Sequence, residues 1–276
     1  MKRKRRFLIV IANLTAVLTV VLILSPLLLL FLNAFRQTSE ILKKPLGLPR
    51  SFYLGNFSHI FARTSFTDNL KNSLLTTIIT VFLCLCATTP AGYVLSRFSF
   101  IGRRVIIIWL LASQAFPGVL MAVGFINVLK SLGLYNTLPG LVVLYMSFTI
   151  PFCSWLLKGY FDQIPISIEE AAMIDGCTRA RAMYKIVIPL AIPGLIAVGT
   201  FAFMLAWNEF FFALVLLQDS KRYTLPLFLA RFLGTGGAVE WGYLCAASTL
   251  CVLPPIFIFL AFQKYLISGL TKGAIK

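Results

Sequence analysis

Six stretches of about twenty predominantly apolar residues, parted by short segments that carry most of the lysine and arginine, limit what this chain can become. They run from Leu8 to Leu32, Ser73 to Leu95, Val105 to Val128, Leu138 to Leu157, Ile186 to Trp207 and Leu244 to Phe262. A helix rising about 1.5 Å per residue needs about 20 residues to cross about 30 Å of hydrocarbon. No water is present there to bond a stray amide or carbonyl, so each stretch is expected to cross as a helix that satisfies its own backbone. The predicted fold class is all-α, a polytopic membrane protein with about six transmembrane helices. The fifth is expected to resume through Phe210 to Leu217 after an interruption at Asn208-Glu209. Pro117-Gly118 in the third span and Pro254-Pro255 in the sixth each remove backbone hydrogen bonds and should kink their helices, as hinges or as static bends.

Composition agrees. The chain of 276 residues is 59% apolar and 12% charged, with a mean hydropathy of +0.90, so membrane lipid must cover most of it. The net charge of +16 does not imply nucleic acid, because the cations sit in short runs between apolar stretches and not on one face. With six crossings both termini share a side, and the segments on that side hold 15 of the 25 cations. Six of the other ten lie in one long loop, Arg36 to Lys71, whose length weakens its influence. The bias places both termini in the cytoplasm. The expected organisation is a basic tail and first helix over residues 1–35 and an extracytoplasmic loop over 36–68. A five-helix core over 69–265, with a cytoplasmic loop at 159–185, and a cytoplasmic tail over 266–276 complete it. Ser51 to Phe66 and Tyr223 to Trp241 are external segments long enough to receive an extracytoplasmic partner.

Other readings find little support. Cys84, Cys86, Cys153, Cys177, Cys245 and Cys251 lie mostly within apolar segments and lack paired metal-ligand spacing, so they read as small core residues. His59, the only histidine, falls in a polar loop without a carboxylate cluster, so no metal site is expected. The basic start followed by apolar sequence imitates a secretory signal, but the uncharged run from Phe7 to Phe35 has no small-x-small cleavage site and reads as an uncleaved anchor.

Lys158 to Lys185 is the longest predicted cytoplasmic segment. Ser167 with Glu170 three positions later has the pattern of a capping box and should start a helix. Ala171, Ala172, Met173 and Ile174 would propagate it, and Gly176 could take the left-handed conformation that ends it. A second helix is expected near Thr178, leaving Ala171, Ala172 and Ile174 as a small apolar surface ringed by Asp175, Arg179 and Arg181. Such a knob suits a groove on another protein, although capping alone would equally suit an ordinary loop.

Spacing separates these two. Glu170-Ala171-Ala172, three residues, Gly176, nine residues and then Ile186-Val187-Ile188-Pro189 resembles the EAA loop of ABC importer permeases, with only Ile188 standing where leucine is usual. Trp207-Asn208-Glu209-Phe210 and the residues after it, Asn72-Ser73-Leu74, Tyr93 to Phe100, and the ending Ser268 to Lys276 are similar to segments of maltose-type sugar permeases. The resemblance implies the ABC importer type I permease fold and, for this chain, the shorter, second permease of a heterodimer. It further implies two ATP-binding subunits that hold ATP and Mg, and an extracytoplasmic solute-binding protein. The implied residence is the bacterial plasma (inner) membrane. Carried over, Glu170, Ala171, Ala172, Asp175 and Gly176, with Arg179, Ile186 and Pro189 beside them, would couple the membrane helices to the ATPases. No cofactor is expected on this chain, and it contains no G-x-x-x-x-G-K-[ST] run with which to hydrolyse ATP; Gly234-Thr235-Gly236-Gly237 lacks the lysine.

The resemblance implies a sugar or oligosaccharide as substrate; Gln114, Asn127, Tyr145, Trp207 and Asn208 supply suitable amides and aromatic faces on the third to fifth spans, and Glu209 is the only acidic residue in any predicted span region. Each has an alternative as interhelical hydrogen-bonding or interfacial residue. Twenty-three residues from Ile186 at about 1.5 Å put Glu209 at the outer mouth, where a gate or partner contact suits it as well as a sugar. Two competing functions are a permease for another solute, such as glycerol phosphate, a polyol or spermidine, and an ion-coupled carrier or membrane enzyme. The latter would show clustered acids or histidines within the spans, which are lacking here.

Overall fold

A computed structural model describes residues 2–233 and 239–272, with side chains from residue 9 to residue 266. In chain order the α-helices are α1 (Lys2–Asn33), α2 (Thr38–Lys43), α3 (Gly55–Arg63), α4 (Phe66–Arg97), α5 (Arg103–Ala115), α6 (Gly118–Ser131), α7 (Leu138–Asp162) and α8 (Ile166–Ile174). They continue as α9 (Arg179–Ala182), α10 (Ile188–Trp207), α11 (Phe211–Leu216), α12 (Leu225–Leu229) and α13 (Trp241–Lys272). No strand occurs among the described residues. Gly234 to Gly237 and the last residues of the tail, Gly273 to Lys276, lie outside them.

Among the described residues, five helices are long and apolar enough to cross a membrane: Ile9–Asn33, Phe66–Arg97, Leu138–Asp162, Arg179–Trp207 and Trp241–Leu266. The pair α5 and α6 makes a sixth when counted as one span, bent by 104°. That bend falls at Phe116-Pro117, where the proline lacks an amide for the preceding turn. The fifth span starts earlier than its apolar residues suggest, because α9 runs through a wide π turn at Met183–Val187 into α10. Pro189 explains that turn: its ring would clash with the carbonyl four residues back, and the helix widens so that the amide of Ile188 bonds Met183 O. Pro254 and Pro255, expected to kink the sixth span, lie inside α13, which continues as helix through them. Hydrocarbon offers the freed carbonyls nothing better than continuing the helix.

The chain forms two compact units, Met1–Thr67 with Phe228–Leu253, and Asp68–Leu227 with Pro254–Lys276. In the first, the most apolar window of α1 has no buried residue. Buried Arg36 holds the chain beyond it, donating to Asn33 Oδ1 at 2.7 Å, Glu40 O at 3.1 Å and Lys44 O at 2.9 Å. The Asn56 amide donates to Ala34 O and Arg36 O at 2.9 and 2.8 Å. His59, expected in a loop, is in α3 and stacks on Tyr243, ring centroids 4.0 Å apart; its partner is almost two hundred residues away and so invisible to local pattern.

The second unit has two apolar cores. One joins α6, α7, α10 and α11 around Leu141, Leu144, Ala206 and Phe212. The other joins α4, α7 and the α9 to α10 span around Cys84, Cys153, Leu157, Phe161 and Val187. Small residues let these helices approach closely. At Gly92 a Cβ would lie 2.9 Å from Leu157 Cβ and 3.1 Å from the Lys158 amide nitrogen, so α4 and α7 touch through backbone there. Gly92→Leu is therefore expected to destabilise the fold by about 1–3 kcal/mol. A lowered thermal midpoint in detergent would show it, with Gly124→Ala, which meets nothing within 4 Å, as the control.

Candidate functional site

The segment between α7 and α10 forms an exposed elbow. Helix α8 starts one residue before Ser167, with Pro165 at the N-cap and no side-chain cap, so the expected capping box does not form. Proline pre-sets the entering backbone (φ −57°), and a helix so begun leaves Ser167 inside the first turn. The other end follows expectation. Gly176 has φ +87°, its amide bonds Met173 O at 3.1 Å, and the amide of Cys177 bonds Ala172 O at 3.0 Å. This pair of bonds is a Schellman motif, which closes the last carbonyls of α8 and turns the chain. Thr178 then caps α9 by accepting from the Arg181 amide at 3.3 Å.

The elbow has an outer and an inner face. Glu170, Ala171, Asp175 and Arg179 are exposed, and Ile174 is 86% exposed. Ala172, expected on the docking surface, is buried instead, because the helix must turn one side toward the membrane helices. Ile186 is half-buried in the π turn and Pro189 is exposed at the start of α10.

The buried side carries residues that sequence pattern did not single out. Glu169 is almost wholly buried and pairs with Arg97 at the end of α4, the side chains being 4% and 5% exposed. Tyr93 donates its hydroxyl to Glu169 Oε2 at 2.7 Å, and Arg97 Nη2 donates to Ile164 O at 2.8 Å. Beside them Ser96 donates to Asp162 Oδ1 at 2.6 Å, and the Arg179 guanidinium lies 5.0 Å from the centre of the Phe98 ring. Leaving either charge of a buried pair alone costs about 3–5 kcal/mol, so this contact is firm. The available signal was two consecutive glutamates on one short helix: at about 100° per residue both cannot face solvent equally.

The six residues proposed for the substrate path are spread over the second unit. Gln114 and Asn127 are exposed on opposite arms of the bent third span. Tyr145 is buried among the α7 and α11 side chains. Trp207 is buried and stacks on Phe203, centroids 5.5 Å apart. Asn208 is exposed and donates to Met204 O at 2.8 Å. Glu209 is half-buried and accepts from the amides of Phe212 at 2.8 Å and Ala213 at 3.2 Å, so it caps α11 where the backbone is broken. The bend of the third span is packed on this region: a Cβ on Gly118 would lie 2.9 Å from Phe212 Cζ, and Phe212 stacks on Phe148.

A polytopic helical core carrying a structured elbow between its fourth and fifth spans is the framework of a membrane transport subunit. The chain belongs to the family of binding-protein-dependent transport system inner membrane components, whose family model matches residues 88–272. It is similar to the trehalose/maltose transport system permease protein MalG of Thermococcus litoralis, 33% identical over 274 residues, 99% of this chain and 97% of that one. It is also similar to the diacetylchitobiose uptake system permease protein DasC of Streptomyces coelicolor, 33% identical over 265 residues, 96% of each chain. Among solved structures, a chain of a bacterial ABC transporter involved in the import of the acidic polysaccharide alginate shares the fold, with a TM-score of 0.82 at 23% identity, covering 96% of this chain and 98% of that one. The protein is therefore a multi-pass transport permease of the inner membrane.

No atom lies within 4 Å of a Cβ placed on Gly176, so its constraint is conformational alone. A side chain in the left-handed region costs about 1–2 kcal/mol, least for asparagine and most for a β-branched residue. Transport by Gly176→Asn, Gly176→Ala and Gly176→Val should fall in that order at equal membrane abundance, measured by uptake in cells.

Proposed function

We propose that this chain is the second permease subunit of an ATP-driven, binding-protein-dependent importer of sugars or oligosaccharides. The observation that carries the reading is the elbow: within a motif of seven positions at family spacing, Glu170 and Ala171 stand on an exposed knob closed by left-handed Gly176. Glu170, Ala171, Asp175 and Arg179 offer the docking face to an ATP-binding subunit, while Ala172 seats α8 from within. Ile186 and Pro189, at the π turn, lead the motion into α10. ATP and Mg belong to two such partner subunits; this chain brings the pathway and no ATPase chemistry of its own. A second permease completes the pathway, and an extracytoplasmic binding protein delivers the solute.

The names of the relatives, trehalose/maltose and diacetylchitobiose permeases, support a di- or oligosaccharide substrate. Exposed Gln114 and Asn127, on the span bent by 104°, and exposed Asn208, at the end of α10, add amides able to bond hydroxyls. The excess of cations on the elbow's side supports a cytoplasmic elbow and termini.

Purification from native membranes is expected to bring down a related permease and an ATPase. A cysteine at Ile174 should react with an impermeant maleimide in inverted vesicles but not in intact cells. Radiolabelled disaccharide uptake should require ATP. Labelling of that cysteine from outside, or uptake by the chain with no companion ATPase, would sink the reading.

A further inference from the structure

We infer that Glu169, Arg97 and Tyr93 form a positioning clamp that makes α4 a carrier of the elbow's motion; this rests on the coupling role proposed above. By covalent connection the elbow can move only α7, which leads into it, and the span through α9 to α10, which leaves it. Helix α4 is more than seventy residues earlier in the chain. Apolar packing alone would let it slide or lag.

The clamp removes that freedom. Tyr93 and Arg97, one turn apart at the end of α4, both donate to the same carboxylate, one to each oxygen. Arg97 also grips Ile164 O at 2.8 Å, in the link between α7 and α8. On the far side of the elbow, Arg179 covers the ring of Phe98, the residue after Arg97. The start of α8, the link before it and the start of α9 are therefore all held by residues 93–98. Glu169 is the only buried acidic side chain among the described residues.

A charge pair in a water-poor setting is steep and directional where apolar contact is shallow, so a shift of the elbow drags α4 with it and does not shear past it. The neighbouring Glu170 is exposed and free for a partner. The two glutamates thus divide the labour, one outward to the motor and one inward to the membrane helix.

The test uses the complete complex with its ATPase subunits, reconstituted in proteoliposomes. Glu169→Gln keeps the volume and removes the charge; the double variant Arg97→Gln with Glu169→Gln removes both charges together and is read instead if the single variant does not accumulate. Tyr93→Phe tests the hydroxyl alone. Assembly and ATP hydrolysis should persist while solute moved per ATP falls about tenfold in the glutamine variants and less in Tyr93→Phe. Spin labels at Val94 and Ala180, both exposed, should keep one separation with and without ATP in the intact clamp and change separation in the double variant. Unchanged transport per ATP in the double variant, even with lowered thermal stability, would show a merely structural pair and overturn the inference, as would a label separation that varies with nucleotide in the intact clamp. Failure of the coupling reading has a different signature: the unsubstituted chain would purify with no ATPase.

Discussion

Every backbone amide and carbonyl at membrane depth must find a partner within the protein, since hydrocarbon supplies none. Long helices answer this along most of the chain, and the informative places are where helix geometry breaks. At Asn208-Glu209 the carboxylate of Glu209 takes up the amides of Phe212 and Ala213 that begin α11. At Pro189 the helix widens into a π turn and continues. At Phe116-Pro117 it gives way to a 104° bend packed beside Phe212 and Phe148. In each case local repair and tight packing make irregular backbone tolerable.

Outside that setting the rules change, and the elbow exploits the change. Water can solvate Glu170, Asp175 and Arg179, so one face of α8 and α9 can remain charged and open to a partner. Glu169 has the opposite surroundings and is held by Arg97 and Tyr93. A short helix with one solvated and one buried acid can transmit force, because one side is available and the other is anchored. Gly176 sets the angle of the knob without steric contact, through the φ that only glycine adopts freely.

The first unit follows a different logic. There Arg36, buried and ringed by carbonyls, organises the chain beyond α1 much as a structural ion would. Helix α1 itself meets little of its own chain. An apolar window with no buried residue leaves its surface to lipid or to another subunit.

What the amino-acid sequence determined by itself were the properties that local physics controls. Length and hydropathy specified the spans, Pro117 and the Asn208-Glu209 break located their interruptions, and Gly176 with Thr178 marked the turn and cap of the elbow. Tertiary structure alone decided the rest. Glu169 turned inward and Ala172 with it, because α8 lies against α4. Helix α8 began before its apparent capping box, and the fifth span reached back to Arg179 through cations that hide it from a hydropathy reading. His59 found Tyr243. The reason is common to all of them. Capping, periodicity and partition act within a few residues, whereas the partners that settle an inward charge or a stacked ring come from chain segments tens to hundreds of residues away.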